Sequence, residues 1–160
     1  MTATSVDLSS GECVRGEVLD EAMIARLVHA FYETVRADAL LGPVFETRIH
    51  DWPAHLARMC SFWSSIMLMT GSYHGRPMER HQALPIDAGH FDRWLELFRH
   101  SAKAVCPPET AALFVERAGR IAESLELGRA LNDGVLLKRG MRYRQAAPAR
   151  PDADQFHGGA

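Results

Sequence analysis

The chain has 160 residues, of which 47% are hydrophobic and 24% are charged, a composition typical of one soluble globular domain. It excludes a wholly disordered chain, because there is enough apolar surface to build a core. Lysine and arginine total 18 against 20 aspartates and glutamates, so the formal charge of −2 gives no reason to expect nucleic acid or a membrane surface as a partner.

Two helices are predicted in the first half of the chain. The first follows an N-cap at Asp20 and is expected to stop at Gly42-Pro43. Its apolar stripe consists of Ile24, Leu27, Val28, Phe31 and Val35. The second begins near Asp51, with Pro53 in its first turn, where the missing N–H costs nothing, and ends before Gly71. Its stripe consists of Trp52, Leu56, Met59, Phe62, Trp63, Ile66 and Met69.

A short segment bounded by two prolines interrupts this helical pattern. Pro77 can open a short helix, and Pro85 must end it. Inside the segment, Met78, His81 and Leu84 follow one another at every third position and therefore share one face. The pattern predicts a histidine that points inward beside two apolar side chains.

Two further helices are predicted, one on each side of Pro107-Pro108. The stripe of the first consists of Phe91, Trp94, Leu95, Phe98, Ala102 and Val105, and that of the second consists of Ala111, Phe114, Val115, Ala118, Ile121, Ala122 and Leu125. No alternating segment is long enough for a β-sheet, so the pattern predicts an all-α protein. We expect a flexible N-terminal extension (1–18), a helical domain (19–136) and a basic, Pro- and Ala-rich tail (137–160) that is solvated.

Four side chains with polar tips are predicted on or beside the core-facing stripes: Tyr32, His55, His81 and Trp94. Taken singly, each is most simply a hydrogen-bonded core residue. Taken together, they provide the parts of a haem site. The iron needs one neutral imidazole, whose other N–H must find an acceptor. Bound O2 carries partial negative charge on its outer oxygen, so O–H and N–H donors on the opposite face would hold it.

Apolar side chains from several helices would bury the porphyrin of such a site. Those predicted to line it are Met59, Phe62, Trp63, Phe98 and Ile121, with Met78 and Leu84 beside His81. No Cys-x-x-Cys-His motif is present, so the cofactor would be haem b, held without a covalent bond.

Other site chemistries find less support in the sequence. It contains no His-Glu-x-x-His, no phosphate-binding loop, no Gly-x-Gly-x-x-Gly and no Gly-x-Ser-x-Gly. A di-iron carboxylate site would need Glu-x-x-His, and the pairs Glu46/His50 and Glu96/His100 have the wrong spacing.

The cysteines and the chain start bear on the compartment. Cys13, Cys60 and Cys106 lie far apart, which favours neither a disulfide framework nor a cysteine zinc site. The first residues resemble no secretory signal, and the longest stretch without Asp, Glu, Lys or Arg is too polar for a membrane span. We therefore expect a cytoplasmic protein.

Read in order, the motifs resemble those of the group III truncated haemoglobins. They are Phe31-Tyr-Glu-x-Val-Arg-x-Asp, Leu41-Gly-Pro-Val-Phe45, Trp52-x-x-His55, Phe62-Trp63, Tyr73-x-Gly-x-Pro77-Met, His81-x-x-Leu-Pro85 and His90-Phe-x-x-Trp94-Leu-x-Leu-Phe98. The resemblance covers Asp20 to Leu127, and the chain lacks the paired-glycine motifs of the other two truncated groups.

The resemblance implies a globin-like two-on-two helical sandwich around haem b. His81 would be the proximal iron ligand, and Tyr32, His55 and Trp94 would line the distal side. Tyr32 and Trp94 are then the expected donors to a bound gas, while His55 either gates access or takes part in the bonding. The segments before Asp20 and after Leu136 have no counterpart in the family pattern.

Three functional hypotheses follow. The first is a haem protein that reversibly binds O2, CO and NO, as an oxygen-binding or oxygen-transport protein; three polar distal groups suit redox chemistry or gas scavenging better than delivery. The second is a haem enzyme, an NO dioxygenase or a peroxidase-like catalyst, which would need an external electron donor. The third is a helical interaction module without a cofactor. We expect a monomer or a weak homodimer.

Overall fold

The computed structural model describes residues 17–145, which form six α-helices. They are α1 (Glu21–Ala37), α2 (Leu41–Glu46), α3 (Trp52–Met67), α4 (Pro77–Gln82), α5 (Ala88–Val105) and α6 (Pro108–Asn132). No strand occurs in this part of the chain, which confirms the all-α prediction. The predictions for residues 1–16 and 146–160 lie outside the described residues.

Helix starts follow the capping residues of the sequence. The carboxylates of Asp20, Asp51 and Asp87 accept hydrogen bonds of 2.8, 3.0 and 2.9 Å from backbone N–H groups in the first turns of α1, α3 and α5. Pro77 and Pro108 open α4 and α6, where a missing N–H leaves no bond unmade. The predicted beginnings of α1, α3 and α4 are confirmed.

The end of the first helix differs from the prediction. α1 stops at Ala37, and Gly42-Pro43 lies inside the additional helix α2. The reason is Asp38, whose carboxylate accepts the backbone N–H groups that follow it at 3.0 and 2.9 Å and so starts a new turn. Gly42 allows the close approach of this turn to α1, because a Cβ there would lie 2.8 Å from the Arg36 carbonyl oxygen.

The long helices form a two-on-two arrangement. α1 packs on α3, α5 packs on α6, and the two pairs meet where α1 contacts α5. The shared core contains Phe31, Trp63, Phe98 and Phe114, each at most 4% exposed. None of the helices within residues 17–145 is long and apolar enough to cross a membrane.

A part of the predicted tail is docked around Tyr143, not solvated as predicted. We call residues 141–145 the C-terminal strap. Tyr143 is 2% exposed, and its carbonyl accepts the Ala88 N–H at 2.8 Å. Its own N–H donates to Glu126 at 2.8 Å. Composition alone indicates a basic tail, but one of its arginines, Arg142, pairs with the buried Glu126 of α6.

Candidate functional site

Three aromatic rings from α1 and α3 meet beside the core. Tyr32 is 6% exposed, and its ring meets that of His55 edge-on, with centroids 4.9 Å apart and planes at 88°. The Trp52 ring lies 6.1 Å from Tyr32 and 5.7 Å from His55. Trp52 and His55 share a face of α3 because they are one helical turn apart. We call these three residues the α1–α3 cluster.

Two nitrogen atoms of the α1–α3 cluster are buried without a hydrogen-bond partner. They are Trp52 Nε1 and His55 Nε2, and no other described side chain has such an atom. Native proteins pair nearly all buried polar atoms, because an unpaired one costs about 1–3 kcal/mol. The cluster therefore leaves two buried nitrogen atoms whose hydrogen-bonding capacity the protein itself does not use.

The α1–α3 cluster is uncharged at neutral pH. Burial lowers the pKa of His55 to about 4, with smaller contributions from Arg58, His81 and Arg80. Burial also raises the pKa of Tyr32 above its usual range. At pH 7, His55 is a neutral imidazole and Tyr32 a neutral phenol, so both act through hydrogen bonds.

His81 lies on α4, on the half-buried face that the sequence predicts. Its Nδ1 lies 2.6 Å from the carbonyl oxygen of Pro77, one turn earlier. A carbonyl can only accept, so Nδ1 carries the proton, and in the neutral ring Nε2 keeps a free lone pair. Burial lowers the pKa of His81, and the bond to the Pro77 carbonyl partly opposes this. The result is a neutral, oriented imidazole, the form that binds a metal.

Trp94 is linked to the α1–α3 cluster through the ring of Phe31. Its ring stacks on Phe98, with centroids 5.4 Å apart and planes at 10°. Phe31 meets Trp94 edge-on at 5.5 Å and meets Tyr32 at 5.0 Å. The structure thus brings Tyr32 and His55 into contact and places Trp94 one ring further along.

The predicted cofactor-lining residues divide into two sets. Trp63 and Phe98 belong to the buried core, stacked on each other with centroids 4.9 Å apart. The other five are partly exposed and have surface available for a ligand; they are Met59, Phe62, Met78, Leu84 and Ile121. Contact of any of these residues with a cofactor remains a prediction.

Trp52 is the site residue that the sequence interpretation assigned only to an apolar stripe. Its solvent side is covered by Arg36, whose guanidinium carbon lies 4.5 Å from the ring centroid. Glu46 holds Arg36 there through a 3.0 Å bond to Nε. The available signal was the spacing Trp52-x-x-His55, which places an indole N–H on the same helix face as an inward histidine.

Between residues 17 and 145 there is no group of three or more His, Cys, Asp or Glu side chains placed to hold a metal ion. His81 presents a free Nε2 lone pair, because its Nδ1 carries the proton that bonds the Pro77 carbonyl oxygen.

Comparisons with known proteins agree with this architecture. The family model of the bacterial-like globins matches residues 17–123. The group 3 truncated hemoglobin ctb of Campylobacter jejuni is 35% identical over 115 residues, covering 69% of this chain and 91% of that protein. The crystal structure of the group III truncated hemoglobin from Campylobacter jejuni matches with a TM-score of 0.66 and 34% identity, over 70% of this chain and 92% of that one. A triple mutant of ASV-TfTrHb matches with a TM-score of 0.58 and 25% identity, over 66% and 84%.

The matched range includes Tyr32, His55, His81 and Trp94. The comparisons confirm the resemblance carried by the ordered motifs and the globin-like fold. The chain belongs to the bacterial-like globins, a family of haem-binding proteins, and within them to the group III truncated haemoglobins.

Proposed function

We propose that this globin binds haem b through His81 and holds a diatomic gas, O2, CO or NO, beside Tyr32, His55 and Trp94. The observation that supports the proposal best is the pairing of His81 with the α1–α3 cluster. His81 has its Nδ1 satisfied and its Nε2 free, while the cluster has two buried nitrogen atoms without partners. A proton on His81 would disfavour one on His55, so the two rings lie within electrostatic range of each other.

Bound haem would supply an iron that takes one imidazole from the protein and can bind a diatomic gas. The free Nε2 of His81 would be the nitrogen that holds it. The 2.6 Å bond to the Pro77 carbonyl fixes the ring, and burial keeps it neutral at pH 7. A protonated imidazole would have no lone pair to give, so the lowered pKa supports the assignment.

The α1–α3 cluster suits the gas side. Tyr32 offers a neutral hydroxyl, and burial keeps His55 uncharged, so neither group brings a full charge toward a neutral gas. The two donors that we propose are Tyr32 and Trp94, while His55 either gates access or takes part in the bonding. A neutral hydrogen bond contributes about 0.5–1.5 kcal/mol, so two donors would slow gas release roughly ten- to hundredfold.

Apolar walls would hold the cofactor without a covalent bond. The partly exposed residues named above supply the contact surface, while Trp63 and Phe98 support it through their buried stack. Removing apolar area from water contributes about 25 cal/mol per Å2, so burial of a porphyrin face is favourable without any further bond.

The first test is the visible spectrum of the full-length protein in the ferric form, after reduction with dithionite and after addition of CO. We expect a Soret band that shifts with CO and is lost or strongly changed in His81→Ala. The matched control is His100→Ala, because His100 is exposed on α5, and its spectrum should equal the wild type. A folded sample without a Soret band after hemin addition would overturn the proposal and favour the interaction module. An unchanged spectrum in His81→Ala would show that a residue other than His81 binds the iron, and His55 would be the first to examine.

One observation favours a second candidate, a peroxidase-like haem enzyme. The neutral His55, with its unpartnered Nε2, can accept a proton from hydrogen peroxide. Reduction of the peroxide to two waters needs two electrons and two protons from an external small reductant. Steady-state peroxide consumption that falls in His55→Leu would support this candidate. NO consumption by the oxygenated protein would instead indicate the dioxygenase.

The cytoplasmic location and the monomer or weak homodimer stay predictions from the sequence. Size-exclusion chromatography with light scattering on the full-length protein would measure the oligomeric state directly.

A further inference from the structure

A buried arginine on α6 holds the backbone that follows the His81 helix. Arg129 is 5% exposed, and its Nε donates to the Leu84 carbonyl oxygen at 2.6 Å. The Leu84 N–H in turn donates to the His81 carbonyl oxygen at 3.2 Å. The guanidinium of Arg129 is therefore connected to the backbone of His81 through one residue.

Arg129 is itself fixed by two partners that come later in the chain. Asp133, the residue directly after α6, pairs with its Nη1. The Tyr143 ring lies 5.6 Å from the guanidinium carbon, and the Tyr143 hydroxyl donates to the other Asp133 oxygen. The C-terminal strap thus sets the position of the Arg129 guanidinium group.

The C-terminal strap is anchored by an acidic residue one turn before Arg129. Glu126 is 5% exposed and accepts the Tyr143 N–H at 2.8 Å. It also accepts from Arg142, at 3.0 and 3.1 Å from Nε and 2.9 Å from Nη2. Because these bonds converge on one carboxylate, the strap has a defined position on α6.

Two further contacts bring α4 against the same part of α6. The Asn132 amide donates to the Gln82 carbonyl oxygen at 3.0 Å. Gly128 faces Met78, and a Cβ on Gly128 would lie 2.0 Å from the Met78 sulfur. α4 has six residues, too few to be stable as an isolated helix, so its position depends on these tertiary contacts.

We propose that Arg129 is a positioning residue for His81, and that the C-terminal strap acts through it to set the orientation of the imidazole toward the iron. The inference rests on the proposed assignment of His81 as the iron ligand. It concerns residues after the family match, which ends at residue 123. A shift of the α4 end would change the Nδ1 contact with Pro77, and with it the donor strength of Nε2.

The test compares three variants of the full-length, haem-loaded protein. Arg129→Met removes the donors and keeps the apolar stem, and Tyr143→Phe removes the hydroxyl that holds Asp133. The control is Arg120→Met, since Arg120 is an exposed α6 arginine whose partner is Glu116. The first readout is the iron–histidine stretching band of the ferrous protein by resonance Raman spectroscopy. The second is amide hydrogen exchange of residues 77–86.

We expect Arg129→Met to shift the iron–histidine band to lower wavenumber and to speed exchange in residues 77–86 on the order of tenfold. Tyr143→Phe should move both readouts in the same direction by less, and Arg120→Met should move neither. If Arg129→Met fails to fold, Tyr143→Phe decides. A wild-type band that stays unchanged in Arg129→Met or Tyr143→Phe would overturn the inference alone. The absence of an iron–histidine band in the wild type would overturn the proposed function and the inference together.

Discussion

Two regions of the molecule contain buried polar atoms, which lack hydrogen-bond partners in one region and have them in the other. In the α1–α3 cluster, Trp52 Nε1 and His55 Nε2 have no partners. Around the C-terminal strap, the buried polar groups of Glu126, Arg129 and Tyr143 all make hydrogen bonds. The second arrangement is what stability favours, because a paired buried group recovers its cost of desolvation.

The difference separates the polar groups that hold the fold from those available to a ligand. Removing a paired group leaves its partner buried and unsatisfied, which destabilises the protein. Removing an unpaired group costs little in the free protein, and its effect falls on whatever the group would bind. Stability and gas binding should therefore respond to substitutions in different regions.

The largest effect on stability is expected from Glu126→Ala. It leaves the Tyr143 N–H without an acceptor and Arg142 without its inner partner. We expect the free energy of unfolding to fall by about 2–4 kcal/mol, less than for a fully buried pair because Arg142 is half-exposed. Urea unfolding measures this free energy. The control is Glu123→Ala, because Glu123 is exposed on α6, and its free energy of unfolding should stay within about 0.5 kcal/mol of the wild type. An equal effect of the two substitutions would show that the strap is not anchored through Glu126.

A matched pair of tyrosine substitutions tests the comparison most directly. Tyr143→Phe removes a hydroxyl that bonds Asp133 and should destabilise the protein by about 1 kcal/mol, since Asp133 is one third exposed. Tyr32→Phe should change stability by less than about 0.5 kcal/mol but speed O2 release up to about tenfold. Stopped-flow O2 displacement measures the release rate. Faster release in Tyr143→Phe than in Tyr32→Phe would reverse the roles of the two regions.

Apolar periodicity and capping residues predicted α1, α3, α5 and α6 from the sequence, because both are local signals. α2 was missed because Gly42-Pro43 usually ends a helix, and the opposite outcome here depends on the carboxylate of Asp38. Proline is common just after the end of a helix and also in the first turn of a helix. The dipeptide Gly42-Pro43 therefore does not by itself distinguish a helix end from a helix start.

The candidate site was predictable where polar residues stand on apolar faces, as with Tyr32, His55 and His81. The position of the C-terminal strap could not be predicted, because a segment rich in arginine is usually solvated. The pairing of Arg142 with Glu126 joins residues that are far apart in the sequence. A sequence signal did exist: Glu126 and Arg129 continue the buried stripe of α6. Charged residues at core positions predict buried partners, although not which ones.

The pH dependence of stability should reflect His55. Its pKa is lowered to about 4 in the folded protein from about 6.5 when unfolded, so the unfolded chain binds the proton first as the pH falls. Stability is therefore lost between pH 6.5 and 4, by about 1–2 kcal/mol once partial exposure is allowed for. In His55→Gln the loss between pH 7 and 4.5 should shrink by about 1 kcal/mol. Urea unfolding at several pH values measures this, and the exposed His100→Gln should keep the wild-type slope.

Trp52→Phe should have the smallest effect on stability. It removes an N–H that has no partner and keeps a ring beneath Arg36, so the gain from losing an unpaired donor offsets the weaker contact between cation and ring. We expect the free energy of unfolding to stay within about 0.5 kcal/mol of the wild type. The carbon–oxygen stretching frequency of the CO complex should nevertheless shift, because the cluster loses one of its two unpartnered polar atoms. A loss of stability as large as that of Glu126→Ala would mean that the Trp52 indole is a structural group, and that unpaired nitrogen atoms do not distinguish the ligand side from the rest of the core.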